Sequence, residues 1–429
     1  MANRPPFALP QTVFMLSLAS NFLFGKTEDE AKLLAALEAY LGTPSGGPSE
    51  FFTAMNAPNP NWQSLTFSAP ATAGDWKTVW GPAVYQAAFN PGATNAAFVA
   101  YSANQNTYVV AIAGTNPVGD NALLFQDLDV KPEHMVAWPP TVDEKKTPPP
   151  LTWTTVGYPK STVAAIDKGT SLGLDDLFTL RGDSATQKNV TMQAYLASVA
   201  NKKSTLVFTG HSLGGALSPT FALLLYPTPA SSNWQAVHIL ATAGPTPGTA
   251  AMADLYAKNY APVPVSYTPY KPASGGAFAT FTAWNQNYSN TLDVVPRAWD
   301  MLSGLVTKPA HPDLDFWPSF FAGGAALAPI VLGPEVAGMV SDAQNRSGYN
   351  GDTTPFYAPC VPHAWYTGQW GSWLWAETNP YPPTWTPSTP PATLDAFGKL
   401  TPWILNAHLD QYPYAFLGVT APKGPSTSS

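Results

Sequence analysis

The run Gly210-His211-Ser212-Leu213-Gly214-Gly215 sets a serine between small residues. That spacing suits a hydroxyl held on a tight strand-to-helix turn and used as a nucleophile. Glycine-rich pentapeptides of this kind also occur as ordinary turns, so the flanking sequence decides. Residues 206–208 are β-prone and residues 214–225 are rich in Ala and Leu, which supplies the strand before and the helix after that the chemistry requires. Gly210 and Gly214 are expected to let the backbone approach closely. A serine hydroxyl is a weak nucleophile, so it needs a base, and the base needs an orienting carboxylate.

The elements that must position these groups follow from the patterning. Thr27 and Glu30 read as a capping box, and Leu33, Leu34, Leu37 and Leu41 recur at helical spacing. Two β-like runs, 98–101 and 108–112, flank the turn-formers Asn104, Gln105 and Asn106 and predict a hairpin. Residues 126–162 are loop-like, with Pro139, Pro140, Pro148, Pro149 and Pro150. Helical patterning over 190–199, the strand and helix around Ser212, and a further buried strand at 237–243 predict parallel strands with crossover helices. The fold class is α/β, and no internal repeat suggests a solenoid or propeller.

Composition excludes several function classes. The 429 residues include 45% hydrophobic and only 11% charged side chains, with a net charge of −7. An average chain carries about 25% charged residues. With no run of like charges, nucleic-acid binding is not expected. One cysteine, Cys360, rules out an intrachain disulfide or a Cys-rich metal site and reads as a small buried hydrophobe; it assigns no compartment. The apolar stretch 13–24 follows Pro5, Pro6 and Pro10 with only Arg4 for positive charge, a poor match to a cleaved signal peptide. The weakly polar run 321–340 contains Pro329, Pro334 and Glu335 and is a poor transmembrane span.

Three segments together resemble the class 3 lipases of the α/β-hydrolase fold, typified by secreted lipases of filamentous fungi. They are Gly210 to Gly215, the strand end Val110-Ala111-Ile112-Ala113-Gly114-Thr115, and Asp293-Val294-Val295-Pro296-Arg297. The resemblance covers roughly 97–296 plus a short C-terminal piece. Ala113 departs from it, standing where the family usually has Arg, and Ala243-Gly244-Pro245-Thr246-Pro247-Gly248 matches the family's glycine-proline turn only loosely.

In this fold the triad runs Ser, acid, His along the chain. Asp293 follows a strand-end segment, 287–292, and matches the family's acid; Asp300, Asp313 and Asp315 are the fallback candidates. His134 and His238 precede any acid in that order, and His211 is expected to pack rather than catalyse. That leaves His311, His363 and His408. By resemblance the base is His408, in Asn406-Ala407-His408-Leu409-Asp410 followed by Tyr412, with His363 the main rival. Acyl transfer builds charge on a carbonyl oxygen, for which two backbone N–H donors are needed. Leu213, after the nucleophile, supplies one, and the resemblance assigns Thr115 the other.

The expected organisation is an N-terminal helical extension (1–80), an α/β-hydrolase core (81–299) with a lid or excursion at about 116–165, and an insertion (300–391). A return carrying the base (392–420) and a disordered tail (421–429) complete it. The insertion holds Trp299, Trp317, Trp365, Trp370, Trp373, Trp375 and Trp385 at or beside it, so it walls an acyl or aryl pocket or forms a satellite core under a Pro-rich cap. Apolar residues 121–125 follow the oxyanion segment, as the family's lid does; they also suit a core-facing turn. The resemblance implies a serine hydrolase of carboxylic esters with apolar acyl groups, acting through an acyl-enzyme on Ser212 without metal or cofactor. The implied partner is an ester or lipid substrate, with a lipid-water interface possible. A phospholipase A or an acyltransferase on the same triad is the alternative, and a non-catalytic interaction protein the third reading.

Overall fold

The computed structural model of the protein describes residues 7–46, 49–56, 75–88, 90–116, 132–142, 150–157, 159–160, 162–182, 187, 189–268, 279–291, 293, 295–297, 357–358, 363–366 and 406–417. The expected lid at 121–125, Asp300, Asp313, Asp315, His311, the segment 403–405, the expected tail and most of the Trp-rich stretch lie outside them.

Seven strands lie side by side in chain order: β1 (Lys77–Tyr85), β2 (Asn95–Ser102), β3 (Thr107–Ile112), β4 (Thr205–His211), β5 (Ala236–Thr242), β6 (Gln286–Asn290) and β7 (His363–Tyr366). The first three are antiparallel, and β3 to β7 run parallel. The described helices are α1 (Leu9–Ser20), α2 (Glu30–Leu41), α3 (Glu50–Asn56), α4 (Lys168–Thr179), α5 (Met192–Val199), α6 (Leu213–Leu225), α7 (Ala250–Asn259) and α8 (Gln411–Leu417).

A parallel sheet must be covered on both faces, so its strands are apolar on both. Val109, Ala111, Val207 and Leu240 pack on one side with Phe14 and Leu16 of α1 and Phe416 of α8. The alternate residues Val110, Ile112, Leu206, Phe208 and Ile239 pack on the other with Leu174 of α4, Leu217 and Phe221 of α6 and Tyr256 of α7. The mostly parallel sheet with helices on both faces is the expected class. No helix among the described residues is long and apolar enough to cross a membrane.

The N-terminal segment departs from the expected extension. Every residue of α1 from Pro10 onward is buried, including the polar Gln11, Thr12, Ser17 and Ser20. Gln11 Nε2 donates to the Phe416 carbonyl at 2.9 Å, and the Phe14 ring lies 5.6 Å from Phe416 and 5.8 Å from Phe281. The first helix thus belongs to the core, and β1 begins at Lys77, before the expected boundary at 81.

Two local expectations also shift. Asp29, not Thr27, caps α2, accepting from the Lys32 N–H at 3.0 Å. Glu30 instead accepts from the Gln86 backbone N–H at 2.9 Å, a tertiary partner that displaces the capping box. Within the expected insertion, β7 pairs in parallel with β6, and Tyr357–Ala358 pairs with Gly248–Thr249 in a small second sheet. That sheet also takes Val136–Ala137 from the expected loop-like stretch and Ala165–Ile166 from just beyond it. The described pieces of 300–391 are therefore sheet.

His238, in β5, gives a pH prediction. Its ring stacks on Trp284 (centroids 5.4 Å apart, planes 7° apart), and burial lowers its pKa from 6.5 to about 4. The unfolded chain takes up this proton near pH 6.5 and the folded chain only near 4, so stability is full above 6.5 and falls as pH drops towards 4. Between pH 7 and 4.5, wild type should lose about 2 to 3 kcal/mol more unfolding free energy than His238→Phe. Urea titrations at the two pH values measure this, and equal losses would refute it.

Candidate active site

Each expected site residue arrives on a different element. Ser212 is the turn between β4 and α6, with φ 61° and ψ −129°, a conformation that costs an L-residue of order 1–3 kcal/mol. The surroundings impose it. Ser212 N donates to the Thr242 carbonyl of β5 at 3.0 Å, and the Ser212 carbonyl accepts from Gly215 N at 2.7 Å. A Cβ on Gly210 would lie 2.1 Å from the Gly214 carbonyl oxygen, and one on Gly214 would lie 2.4 Å from that of Ile112. Only glycine fits at either place, which is why the motif has small residues on both sides of the serine.

Asp293 lies just past β6, and His408 lies in a single π-helical turn, Asn406–Asp410, that leads into α8. Such turns recur at functional sites. The three side chains form one relay. His408 Nδ1 is 2.8 Å from Asp293 Oδ2, and His408 Nε2 is 2.8 Å from Ser212 Oγ. A carboxylate can only accept, so Nδ1 carries the proton and donates it to Asp293. Nε2 is left as the acceptor for the serine hydroxyl.

Asp293 is buried at 1% exposure, and an unpaired carboxylate there would be costly. Besides His408, Tyr412 Oη donates to Oδ2 at 2.8 Å and the Val295 N–H donates to Oδ1 at 3.0 Å. Tyr412 Oη in turn accepts from Asn290 N at 2.9 Å, and Asn290 Nδ2 donates to the Ala407 carbonyl at 3.0 Å and to Gln411 Oε1 at 2.9 Å. The end of β6 is thereby bolted to the turn that carries His408.

His211 holds that turn from the other side. Its Nε2 lies 2.8 Å from the His408 carbonyl and its Nδ1 lies 3.0 Å from Thr242 Oγ1. A carbonyl requires a donor, so Nε2 carries the proton and Nδ1 accepts from the threonine hydroxyl. Burial, with a smaller contribution from neighbouring His408, holds the His211 pKa well below the ordinary histidine value. A neutral ring is what this pair of bonds needs.

Leu213 is the first residue of α6, and the first amides of a helix have no partner within it. Thr115 lies just past the end of β3. Its neighbour Gly114 is pressed on the nucleophile turn: a Cβ there would lie 2.6 Å from the His211 carbonyl oxygen and 3.1 Å from Ser212 Cβ. Leu213 thus follows Ser212 directly, and Thr115 follows the glycine that packs on the nucleophile turn.

The structure brings Ser212, Asp293 and His408 together, and His211 lies beside them, its ring 4.9 Å from that of His408. His363 opens β7, its backbone paired with Asn287; His134 is exposed on a short 3-10 turn; His238 stacks on Trp284. Asn290 and the latching role of His211 were not read from the sequence. The partners through which they hold the His408 turn are 117 or more residues away, so no local pattern signals them.

Comparison with known proteins agrees with this frame. Residues 179–298 match the family model for lipase (class 3), a stretch that includes Ser212 and Asp293. The resemblance read from the motifs is borne out over that segment. The crystal structure of M37 lipase is similar at a TM-score of 0.58 and 21% identity, covering 95% of this chain and 92% of that one. The protein therefore has the α/β-hydrolase fold. The nonglycosylated LIP2 lipase of Yarrowia lipolytica is more distant: TM-score 0.35, 11% identity, 69% of this chain and 77% of that one. A lipase from Rhizopus microsporus var. chinensis stands at 0.29 and 16%, covering 52% and 56%. No curated protein matches the chain in sequence.

Proposed function

We propose that the protein is a serine hydrolase that cleaves carboxylic esters of apolar acyl groups. The observation that carries this reading is the continuous relay from Asp293 through His408 to Ser212, with both links at 2.8 Å. The match of its central segment to class 3 lipases supports the substrate class, with triacylglycerol favoured.

In the reaction Ser212 Oγ attacks the ester carbonyl while its proton passes to His408 Nε2. The imidazolium that forms is stabilised by the Asp293 carboxylate. Charge gathers on the carbonyl oxygen, where the Leu213 and Thr115 amides donate to it. Fixed donors of this kind are commonly worth 10²–10³ in rate each. His408 then gives its proton to the departing alcohol, leaving an acyl-enzyme. Water, deprotonated by His408, attacks this ester, and collapse of the second tetrahedral intermediate releases the acid and restores the serine.

Hydrolysis of a p-nitrophenyl acyl series from short to long chains tests the reading, with free acid quantified in the presence and absence of added alcohol. The expected result is turnover with a chain-length optimum and acid as the main product. Ester as the dominant product with added alcohol would instead assign an acyltransferase on the same triad. An enzyme inert on every ester would remove the reading.

A further inference from the structure

The oxyanion segment is held by a part of the chain remote in sequence. Main-chain pairing of β3 with β2 ends where Ala113 N donates to the Ala96 carbonyl at 2.9 Å. Gly114 is the first amide beyond that ladder. It donates at 2.8 Å to Oδ1 of Asn21, the residue that ends α1, 93 positions earlier. The Asn21 amide group is itself fixed, since its Nδ2 donates to the Ser17 carbonyl at 3.0 Å. One residue beyond Thr115, buried Asn116 accepts through Oδ1 from Gly25 N at 3.0 Å. Thr115 is therefore flanked by two side-chain-to-backbone bonds, both to the turn that follows α1. Ser20, Asn21 and Phe24 on one side and Gly114, Thr115 and Asn116 on the other share the wall of one small cavity.

We propose that Asn21 is a positioning residue for ester hydrolysis. By accepting from Gly114 it sets where the Thr115 amide stands relative to Ser212, so α1 serves the reaction as well as the core. This rests on the function proposed above. Donors act on the oxyanion only at hydrogen-bonding distance, and a misplacement of about 1 Å can cost of order 10²-fold in rate. With the bond to Asn21 gone, Gly114 keeps its packing on the serine turn, but its amide loses the acceptor that sets its direction.

The test compares wild type, Asn21→Ala and Ser20→Ala on p-nitrophenyl butyrate, with active sites counted by phosphonate titration. Affinity for an alkyl boronic acid, which forms a tetrahedral adduct on the serine, is measured alongside. Asn21→Ala should lower kcat per titrated site by about 10- to 100-fold and weaken boronate binding in parallel, with KM within about threefold. Ser20→Ala removes a bond at the same helix end, Ser20 Oγ to the Ser17 carbonyl at 2.7 Å, without touching Gly114. It should stay within about twofold of wild type.

An unchanged kcat per site in Asn21→Ala would overturn the proposal. So would an equal loss in Ser20→Ala, or a loss that leaves boronate affinity intact. Should Asn21→Ala fail to fold, Asn116→Ala, which frees the loop from the other side, carries the test; a kcat per site equal to wild type would overturn it. A wild-type enzyme inert on all esters would instead defeat the hydrolase reading itself.

Discussion

Ser212→Ala is expected to lower ester turnover by at least about 10⁴-fold, because removal of the nucleophile leaves only binding and the oxyanion donors to act on the substrate. The same position carries a stability effect of opposite sense. Its backbone, at φ 61° and ψ −129°, suits no L side chain, so alanine inherits the strain that serine bears. Ser212→Gly should be as inactive as Ser212→Ala but more stable than it by about 1 kcal/mol, the strain relieved less the extra unfolded-state freedom of glycine. Denaturant melts of the two variants side by side measure this. An alanine variant retaining a tenth of wild-type turnover would contradict the assigned role, and a glycine variant less stable than the alanine one would contradict the strain.

Asp293→Asn is the second large effect, expected to cost about 10⁴-fold in kcat with little change in KM. The carboxylate's neighbours dictate why. The Val295 N–H points at Oδ1 and would demand the amide oxygen of an asparagine there. The amide NH₂ would then occupy the Oδ2 place, facing His408 Nδ1 and the Tyr412 hydroxyl. Facing a donor, His408 would accept at Nδ1 and carry its proton on Nε2, the nitrogen that must take the serine's proton. The base would be present in the wrong tautomer. Steady-state kinetics on a soluble ester, with thermal melting to confirm folding, check this. A folded variant within tenfold of wild type would mean that Asp293 does not orient the base.

Much of the fold was legible because a doubly covered sheet writes itself plainly into sequence. Continuous apolar strands such as Tyr108-Val109-Val110-Ala111-Ile112 and Leu206-Val207-Phe208, set between helical segments, admit few other architectures. The nucleophile turn was legible because sterics leave only glycine at 210 and 214. Helix α1 was not, because a helix buried all round has no polar face to reveal its period. The apolar stretch 13–24, which takes in most of it, invites comparison with a leader segment instead. β7 was missed because its four residues are submerged in a Pro- and Trp-rich stretch whose composition masks so short a strand. The bonds of Asn21, His211, Asn290 and Tyr412 were beyond reach for another reason. Each joins residues far apart in the chain, and a single sequence records the partners' types but not their meeting.

The most direct measurement is to treat the protein with a p-nitrophenyl alkylphosphonate and locate the adduct by peptide mass spectrometry, in wild type and in His408→Ala. The expected result is one phosphonyl group per chain on Ser212 in wild type, formed with loss of activity, and labelling slowed by orders of magnitude in the variant. Stoichiometric labelling at another residue, or a fully active protein that takes up no label, would contradict Ser212 as the nucleophile activated by His408.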